Sequence, residues 1–434
     1  MPAARAFTEV LDEAKWGREH WKLFTVVSLN YVLDGVMFSI APLLAYIVAP
    51  EKFHYIFAAN LLAETLGALT FGRLADIFGR RVMFAIALAI EAASLLLLIP
   101  LYENLAALVI LTSAMTFGIG GEFGAAYAAI AELVPARHRG KTLMISTNFW
   151  NIGAAVIAGL MLVYAAIAED PATQARYLLM SALGTAIVAG VARIGMPESP
   201  RWLVARGRRM EAESLVRRIA GYSGELSFEL PPSQLVGLGE ALSKYWIRLL
   251  VLAVVTVAQY VTYDVTAYYL PYSPGYKFGL ESVPYVVFVA NLGASVGAFL
   301  LLPLIDRTRR ASILASFAGG FLTALAIYAA HAAGSLELFY AAVFVNLVFS
   351  EWAWASLSVL QSELFPTGVR ASVVGLLTSL TGVSGAAVVF LEARMTFGGF
   401  FAVVLGLWAA GVLASAYWYL KGVESARKPV EELA

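Results

Sequence analysis

The chain has no cysteine among its 434 residues. That excludes a disulfide framework, a thiolate nucleophile and any cysteine-ligated zinc or iron–sulfur site. Charge is scarce as well, at 14% of residues where an ordinary soluble domain carries about 25%. The two signs balance at 30 bases and 30 acids, so no basic excess invites nucleic acid. Four histidines, His20, His54, His138 and His331, are scattered without ligand spacing, and neither metal nor cofactor is expected. No Walker motif or Gly-rich phosphate loop is present and no nucleophile–base pair is visible, which argues against an ATP-driven pump and against a membrane-embedded enzyme. The N-terminal stretch is polar and contains acids, so it does not read as a cleaved signal peptide.

What the chain has in excess is apolar residue: 60% of it, with a mean hydropathy of +0.76. A soluble fold of this size could not hide that surface, and a bilayer is its natural solvent, at ~20 apolar residues per spanning helix. Apolar runs broken by charge, Gly and Pro place twelve spans at about 23–48, 54–75, 82–100, 104–133, 142–168, 176–196, 246–270, 282–305, 311–333, 335–364, 370–392 and 398–420. The expected fold class is therefore an all-α membrane protein. Residues 1–22 and 421–434 read as polar ends, 23–196 and 246–420 as two six-helix bundles, and 197–245 as a polar linker. Within the linker, Trp202, Leu203, Leu215, Val216 and Ile219 among basic residues mark amphipathic helices. An even number of spans puts both termini on one side. That side collects 26 of the 30 bases, leaving Lys52, Arg176, Lys277 and Arg394 opposite, so the positive-inside rule makes it cytoplasmic in a multi-pass cell-membrane protein.

The halves echo each other. Glu132-Leu-Val-Pro-Ala-Arg-His-Arg139 returns as Glu363-Leu-Phe-Pro-Thr-Gly-Val-Arg370, and Ala59-Asn60-Leu61 as Ala290-Asn291-Leu292, both displaced by 231 positions. Asp34 returns as Asp264 and Asp76 as Asp306, each displaced by 230, with Arg80 and Arg81 followed loosely by Arg309 and Arg310. Such agreement indicates a duplicated six-helix unit, the architecture of alternating-access transporters with a site between the halves.

With these motifs the chain resembles the major facilitator superfamily along nearly its whole length. Gly72-Arg-Leu-Ala-Asp76-Ile-Phe-Gly79-Arg80-Arg81 is similar to that family's loop 2–3 signature. Pro197-Glu198-Ser199-Pro200-Arg201-Trp202-Leu203 is similar to the sugar-porter and organic-ion-transporter signature after span 6. Gly120-Gly-Glu122-Phe-Gly124 and Tyr263-Asp264-Val265 resemble the proton-coupled metabolite and phosphate symporters, whereas Gln259, Tyr268 and Tyr269 resemble the sugar porters. The resemblance implies two pseudo-symmetric six-helix bundles and a conformational latch of Gly72, Asp76, Gly79, Arg80, Arg81, Arg139, Glu198 and Arg201. Asp306, Arg309, Glu363 and Arg370 would form its second-half counterpart, where Thr308 stands in place of the Gly turn.

Six acids fall inside the spans, Asp34, Glu64, Glu91, Glu122, Asp264 and Glu351, with no Lys or Arg expected at comparable depth. Buried acids in lipid are costly and mark ion pathways or relays. Asp34, with Asn30 one turn before it and Gly35 after, and Glu122 are the expected proton-coupling residues. A second acid three residues on is replaced by Met37, so a span-1 proton site would rest on Asp34 alone. Acids without a base suit a neutral or cationic solute better than an anion. Asn30, Asp264, Gln259, Tyr268, Tyr269, Asn291 and Trp354 are expected to wall its site, with Trp150 and Asn151 as further candidates. The expected function is secondary transport of a small polar, sugar-like or metabolite solute with protons, by a monomer. An organic-anion or phosphate symporter and a non-transporting solute sensor are the rival readings.

Overall fold

The computed structural model describes residues 5–229, 236–305, 307–366, 368–392, 394–428 and 432–433. Among the described residues, twelve helices are long and apolar enough to cross a membrane, the arrangement lipid demands because each backbone N–H must find its acceptor within the helix. The first half comprises α2 (Arg18–Val48), α3 (Phe53–Phe78), α4 (Arg80–Leu101), α5 (Leu105–Leu133), α6 (Ala136–Ile167) and α7 (Pro171–Ala192). The second comprises α11 (Trp246–Asp264), α12 (Val283–Ile305), α13 (Arg309–Ala333), α14 (Leu336–Glu363), α15 (Arg370–Glu392) and α16 (Phe397–Lys421). Large apolar side chains such as Leu66, Ile110, Val163, Ile187, Leu322 and Leu413 stay exposed, as a lipid-facing surface requires.

Short polar residues stop and start these helices. Asn104 accepts from the Ala107 amide at 3.1 Å and Asp170, followed by Pro171, from the Thr173 amide at 2.8 Å, satisfying donors that a helix start leaves open. Helix α6 begins before the expected span, carrying Arg137, Arg139 and Lys141 on its first turns. Span 7 does not continue as an α-helix: after Asp264 it becomes a π turn over Val265–Tyr269 and then a short tight turn over Leu270–Tyr272. Such turns free backbone groups and cluster at functional sites.

The polar regions fold together on one side of the bundle, here called the linker side. There α8 (Pro200–Ala205), α9 (Arg209–Ala220) and α10 (Leu238–Lys244) form most of the linker. Trp202, Leu203, Leu215, Val216 and Ile219 are all buried, as the amphipathic pattern predicts. The chain's start joins them. Strand β1 (Arg5–Ala6) pairs in parallel with β2 (Leu226–Ser227), and α1 (Phe7–Asp12) packs on α9, with Phe7 stacked on Phe228 at 5.3 Å. This two-stranded ribbon is the one departure from an all-α chain among the described residues.

The halves touch chiefly through α3 against α15 and α6 against α12. At the first of these crossings a side chain on Gly72 would meet the Ala371 carbonyl at 2.9 Å and the Gly375 Cα at 3.3 Å, so two glycines let the backbones approach. Along α5 and α14, residues one repeat apart meet face to face. The hydroxyls of Tyr127 and Ser358 lie 2.7 Å apart across a separation of 231 residues, and the rings of Phe123 and Trp354 are 5.9 Å apart. Equivalent residues can touch only on the pseudo-two-fold axis, which therefore runs between α5 and α14.

Candidate functional site

Around that axis the membrane-embedded polar residues sort into three groups. The first lies within the first half. Asn30 donates to Asp34 Oδ2 at 3.0 Å and also bonds Glu122. Oxygens of Asp34, Glu91 and Glu122 lie within 4.8 Å of one another, all three residues buried. Against them stands Arg193, 2.8 Å from Glu122 Oε1 and itself buried over the Phe84 ring. Two expectations are corrected here. The first is that a base does reach the depth of the acids, because Arg193 just after α7 turns its long side chain inward; the second concerns Asn30. Asp34 is the one acid of span 1, and α4 and α5 bring Glu91 and Glu122 to it. Asn30, expected on the solute wall, belongs to this cluster. Among the described residues, Asp34 Oδ1 and both Glu91 oxygens have no hydrogen-bond partner.

The second group joins the halves. Asn151 on α6 donates to Glu351 on α14 at 2.7 Å and accepts from the Tyr263 hydroxyl at 2.8 Å. Tyr263 and Tyr268 both reach Asn291 Oδ1, at 2.7 and 3.3 Å, and the Trp150 indole donates to the Tyr268 hydroxyl at 3.2 Å. Of the expected wall residues this network contains Asn291 and Tyr268. Gln259 instead ties α11 to Ser350 on α14 at 3.4 Å, and Tyr269 stacks on Phe53 and Phe57 at 6.0 Å. Trp354 stacks on Tyr260 at 4.7 Å.

The third group is Glu64 on α3 and Asp264 at the end of α11, acids from opposite halves within electrostatic reach of each other. They are 3% and 8% exposed, and neither is hydrogen-bonded to any described residue.

The latch residues occupy the linker side, and the repeat shows in their geometry. Arg80 pairs with Asp76 at 3.2 Å and Glu132 at 3.0 Å, and Arg309 pairs with Glu363 at 3.3 Å. Asp76 Oδ2 crosses to the start of α15, accepting from the Ser372 amide at 2.9 Å and hydroxyl at 2.6 Å. Arg370 crosses back to Glu132 Oε1 at 3.1 Å. Glu198 accepts from the backbone amides of Arg80 and Arg81 at 3.1 and 3.3 Å. It fills the space beside Gly79, whose φ of +102° only glycine adopts without strain. Burial raises the Glu198 carboxyl above its usual range, with the opposing amides of Ser199, Arg80 and Arg81 recovering part. Arg81 departs from expectation: its backbone amide and not its exposed guanidinium serves the latch. Asp306 lies outside the described residues.

Two further parts escaped the sequence reading. Glu424, after α16, accepts from the Arg309 amide at 2.9 Å and the Thr308 hydroxyl at 2.8 Å, the counterpart of Glu198. Thr308, where the Gly turn is missing, caps α13 through the Ala311 amide at 3.3 Å. The signal was the Glu198-Ser199 pair returning as Glu424-Ser425. The other part is Asp12 on α1, which meets Arg139 at 3.0 Å and Arg201 at 3.3 Å.

Residues 23–390 match the family model described as the Major Facilitator Superfamily. The chain is 31% identical over 364 residues to the inner membrane metabolite transport protein YgcS of Escherichia coli (strain K12), covering 82% of this chain and 79% of that one. It is 26% identical to the niacin transporter NiaP of Acinetobacter baylyi, over 96% of this chain and 97% of that protein. Among solved structures, that of the proton:xylose symporter XylE bound to 6-bromo-6-deoxy-D-glucose superposes with a TM-score of 0.80 at 19% identity, covering 95% of this chain and 98% of that one.

Proposed function

Since the chain belongs to the major facilitator superfamily, a family of membrane transporters, we propose that it is a proton-coupled symporter. It carries a small polar metabolite, neutral or cationic, by alternating access. The observation that carries this reading is the buried cluster of Asp34, Glu91 and Glu122 against the single base Arg193. Three carboxyls that close, facing one guanidinium, cannot all be ionised at once, so the cluster holds at least one exchangeable proton. We assign the exchange to Asp34: Glu122 already has Arg193, and Asp34, with Oδ1 unpartnered among the described residues, shares Asn30 with Glu122, a link that Glu91 lacks. Asn30 links the two carboxyls, so a change at one is felt at the other.

The solute site is the central region beside the axis, with Asp264, Asn291, Tyr268 and Trp354 on its second-half wall. Gln259 and Tyr269 support that wall through α14 and α3. Contacts between the halves exist on both sides of this region: Asp76 with Ser372 on the linker side, and the Tyr272 hydroxyl with the Pro42 carbonyl at 2.6 Å toward the other. That supports an occluded arrangement, from which each opening breaks one set. The distribution of bases supports a cytoplasmic linker side and, with it, cytoplasmic termini.

The test uses purified protein in liposomes. Asp34→Asn should abolish accumulation driven by a pH gradient while leaving energy-independent counterflow of solute, since a permanently neutral side chain needs no proton to cross. Gradient-driven accumulation at the parent level would remove Asp34 from the coupling role. Binding of solute without uptake in any arrangement would favour a sensor.

A further inference from the structure

Most buried acids in this protein have a counter-charge or a donor: Glu122 has Arg193, Glu132 has Arg80 and Arg370, Glu363 has Arg309, and Glu351 has the Asn151 amide. Glu64 and Asp264 have neither. Each is more than nine-tenths buried, neither is hydrogen-bonded to a described residue, and the charge that acts on Asp264 is Glu64 itself. The start of α3 reaches the segment that follows Asp264, since Phe53 and Phe57 stack on Tyr269 in the π turn. Ionising such a pair without a counter-charge is expensive in a membrane, so a positive charge supplied from outside would be favoured beside it.

The surroundings indicate what that is. Tyr260, one turn before Asp264, lies within electrostatic reach of Glu64. It stacks on Trp354 with ring planes 23° apart, and Trp354 also meets Phe123 and Tyr263 at 5.9 Å. The Tyr260 hydroxyl and the Trp354 indole nitrogen, both on residues 4% exposed, have no hydrogen-bond partner of good geometry among the described residues. Electron-rich ring faces beside two carboxylates attract a positive charge. An anion would be repelled by either acid once ionised, whereas a cation would favour the ionised form of both.

We propose that the solute is an organic cation, an amine or quaternary ammonium ion, whose nitrogen sits between Glu64 and Asp264 and whose body lies against Tyr260 and Trp354. This deepens the transport reading and rests on the centre being its solute site. Because the two acids belong to opposite halves, such a cation draws the halves together around itself.

The experiment compares charge at constant shape. Purified protein is titrated with phenethylammonium and with choline, beside their neutral counterparts 2-phenylethanol and 3,3-dimethylbutan-1-ol. Binding is read by calorimetry and thermal shift. At least one ammonium ion should bind tenfold or more tightly than its counterpart. Glu64→Gln and Asp264→Asn should each weaken it at least tenfold, and Glu64→Asp should weaken it less. Equal binding of the neutral counterpart, or no binding of either ammonium ion, overturns the proposal; this comparison needs no variant and so does not depend on how the variants fold. Uptake into liposomes separates the two readings. A sugar accumulated equally by the parent and Glu64→Gln would sink the cation site and leave transport standing. An ammonium ion bound but never accumulated would do the reverse.

Discussion

Replacing Asp76 by Asn tests whether the linker-side contacts set the conformational equilibrium. The carboxylate serves two clients: Oδ1 faces Arg80 in its own half at 3.2 Å, while Oδ2 takes two donors from Ser372 in the other half at 2.9 and 2.6 Å. Parting of the halves on this side breaks only the Ser372 bonds. Hydrogen bonds to a charged acceptor contribute about 1.5–3 kcal/mol net, and those to a neutral one about 0.5–1.5. An Asn oxygen in the place of Oδ2 can still accept both donors, but without charge assistance on either. The closed linker side then loses about 2 kcal/mol relative to the open one, roughly a 30-fold change in the population ratio. Ser372→Ala, which removes the hydroxyl and keeps the amide, should lose about 1 kcal/mol, roughly fivefold. Since the chain has no cysteine, spin labels can be placed singly at the exposed positions Arg73 and Arg307, one in each half. Double electron–electron resonance should show the longer distance gaining weight in the order parent, Ser372→Ala, Asp76→Asn. Three identical distance distributions would refute the reasoning and leave Asp76 as an anchor for α4.

Arg193→Gln should destabilise the protein by about 3–5 kcal/mol, because it strands Glu122 as a buried charge, and Arg193→Gln with Glu122→Gln should recover much of that; detergent denaturation curves of both variants decide it, and additive losses would contradict the pairing. Cysteines at Ser223 and Lys428, both exposed, should be protected from an impermeant maleimide on intact cells and labelled after permeabilisation; rapid labelling on intact cells would invert the orientation. Burial raises the Glu198 carboxyl, so the folded protein binds that proton more tightly than the unfolded chain does. Stability relative to Glu198→Gln should therefore rise as pH falls through the folded value and level off below about 4.3, the unfolded value. Parallel melting curves of parent and variant from pH 7 to 4 would show the residue to be solvated instead.

The spans were legible because lipid forces each helix to be written as one contiguous apolar run, and the latch because its residues recur at a fixed displacement. The inner chemistry was less so, for reasons that differ by residue. Arg193 reads as an ordinary base at a span end; that its side chain points inward depends on the Phe84 carbonyl and Glu122 being within its reach, which only packing decides. Glu91 looked isolated on α4 because its neighbours come from α2 and α5. Asn30 was placed on the correct helix and given the wrong company, since one turn of α2 faces α5 and not the second half. The π turn after Asp264 has no local breaker before Pro271, and Glu424 carries no pattern beyond its neighbour Ser425. Glu64 drew little weight alone and gained meaning only once Asp264 lay opposite it.

The meeting of Tyr127 with Ser358, and of Phe123 with Trp354, bears on how such a chain can arise. A dimer of two identical six-helix subunits could set only like against like on its symmetry axis: two tyrosines would compete for the space that one fills, and two serines would leave a void. Joining the subunits in a single polypeptide lifts that restriction. Each axial position can then pair a large residue with a small one, or a phenyl ring with an indole, and the two sides of the centre become free to specialise.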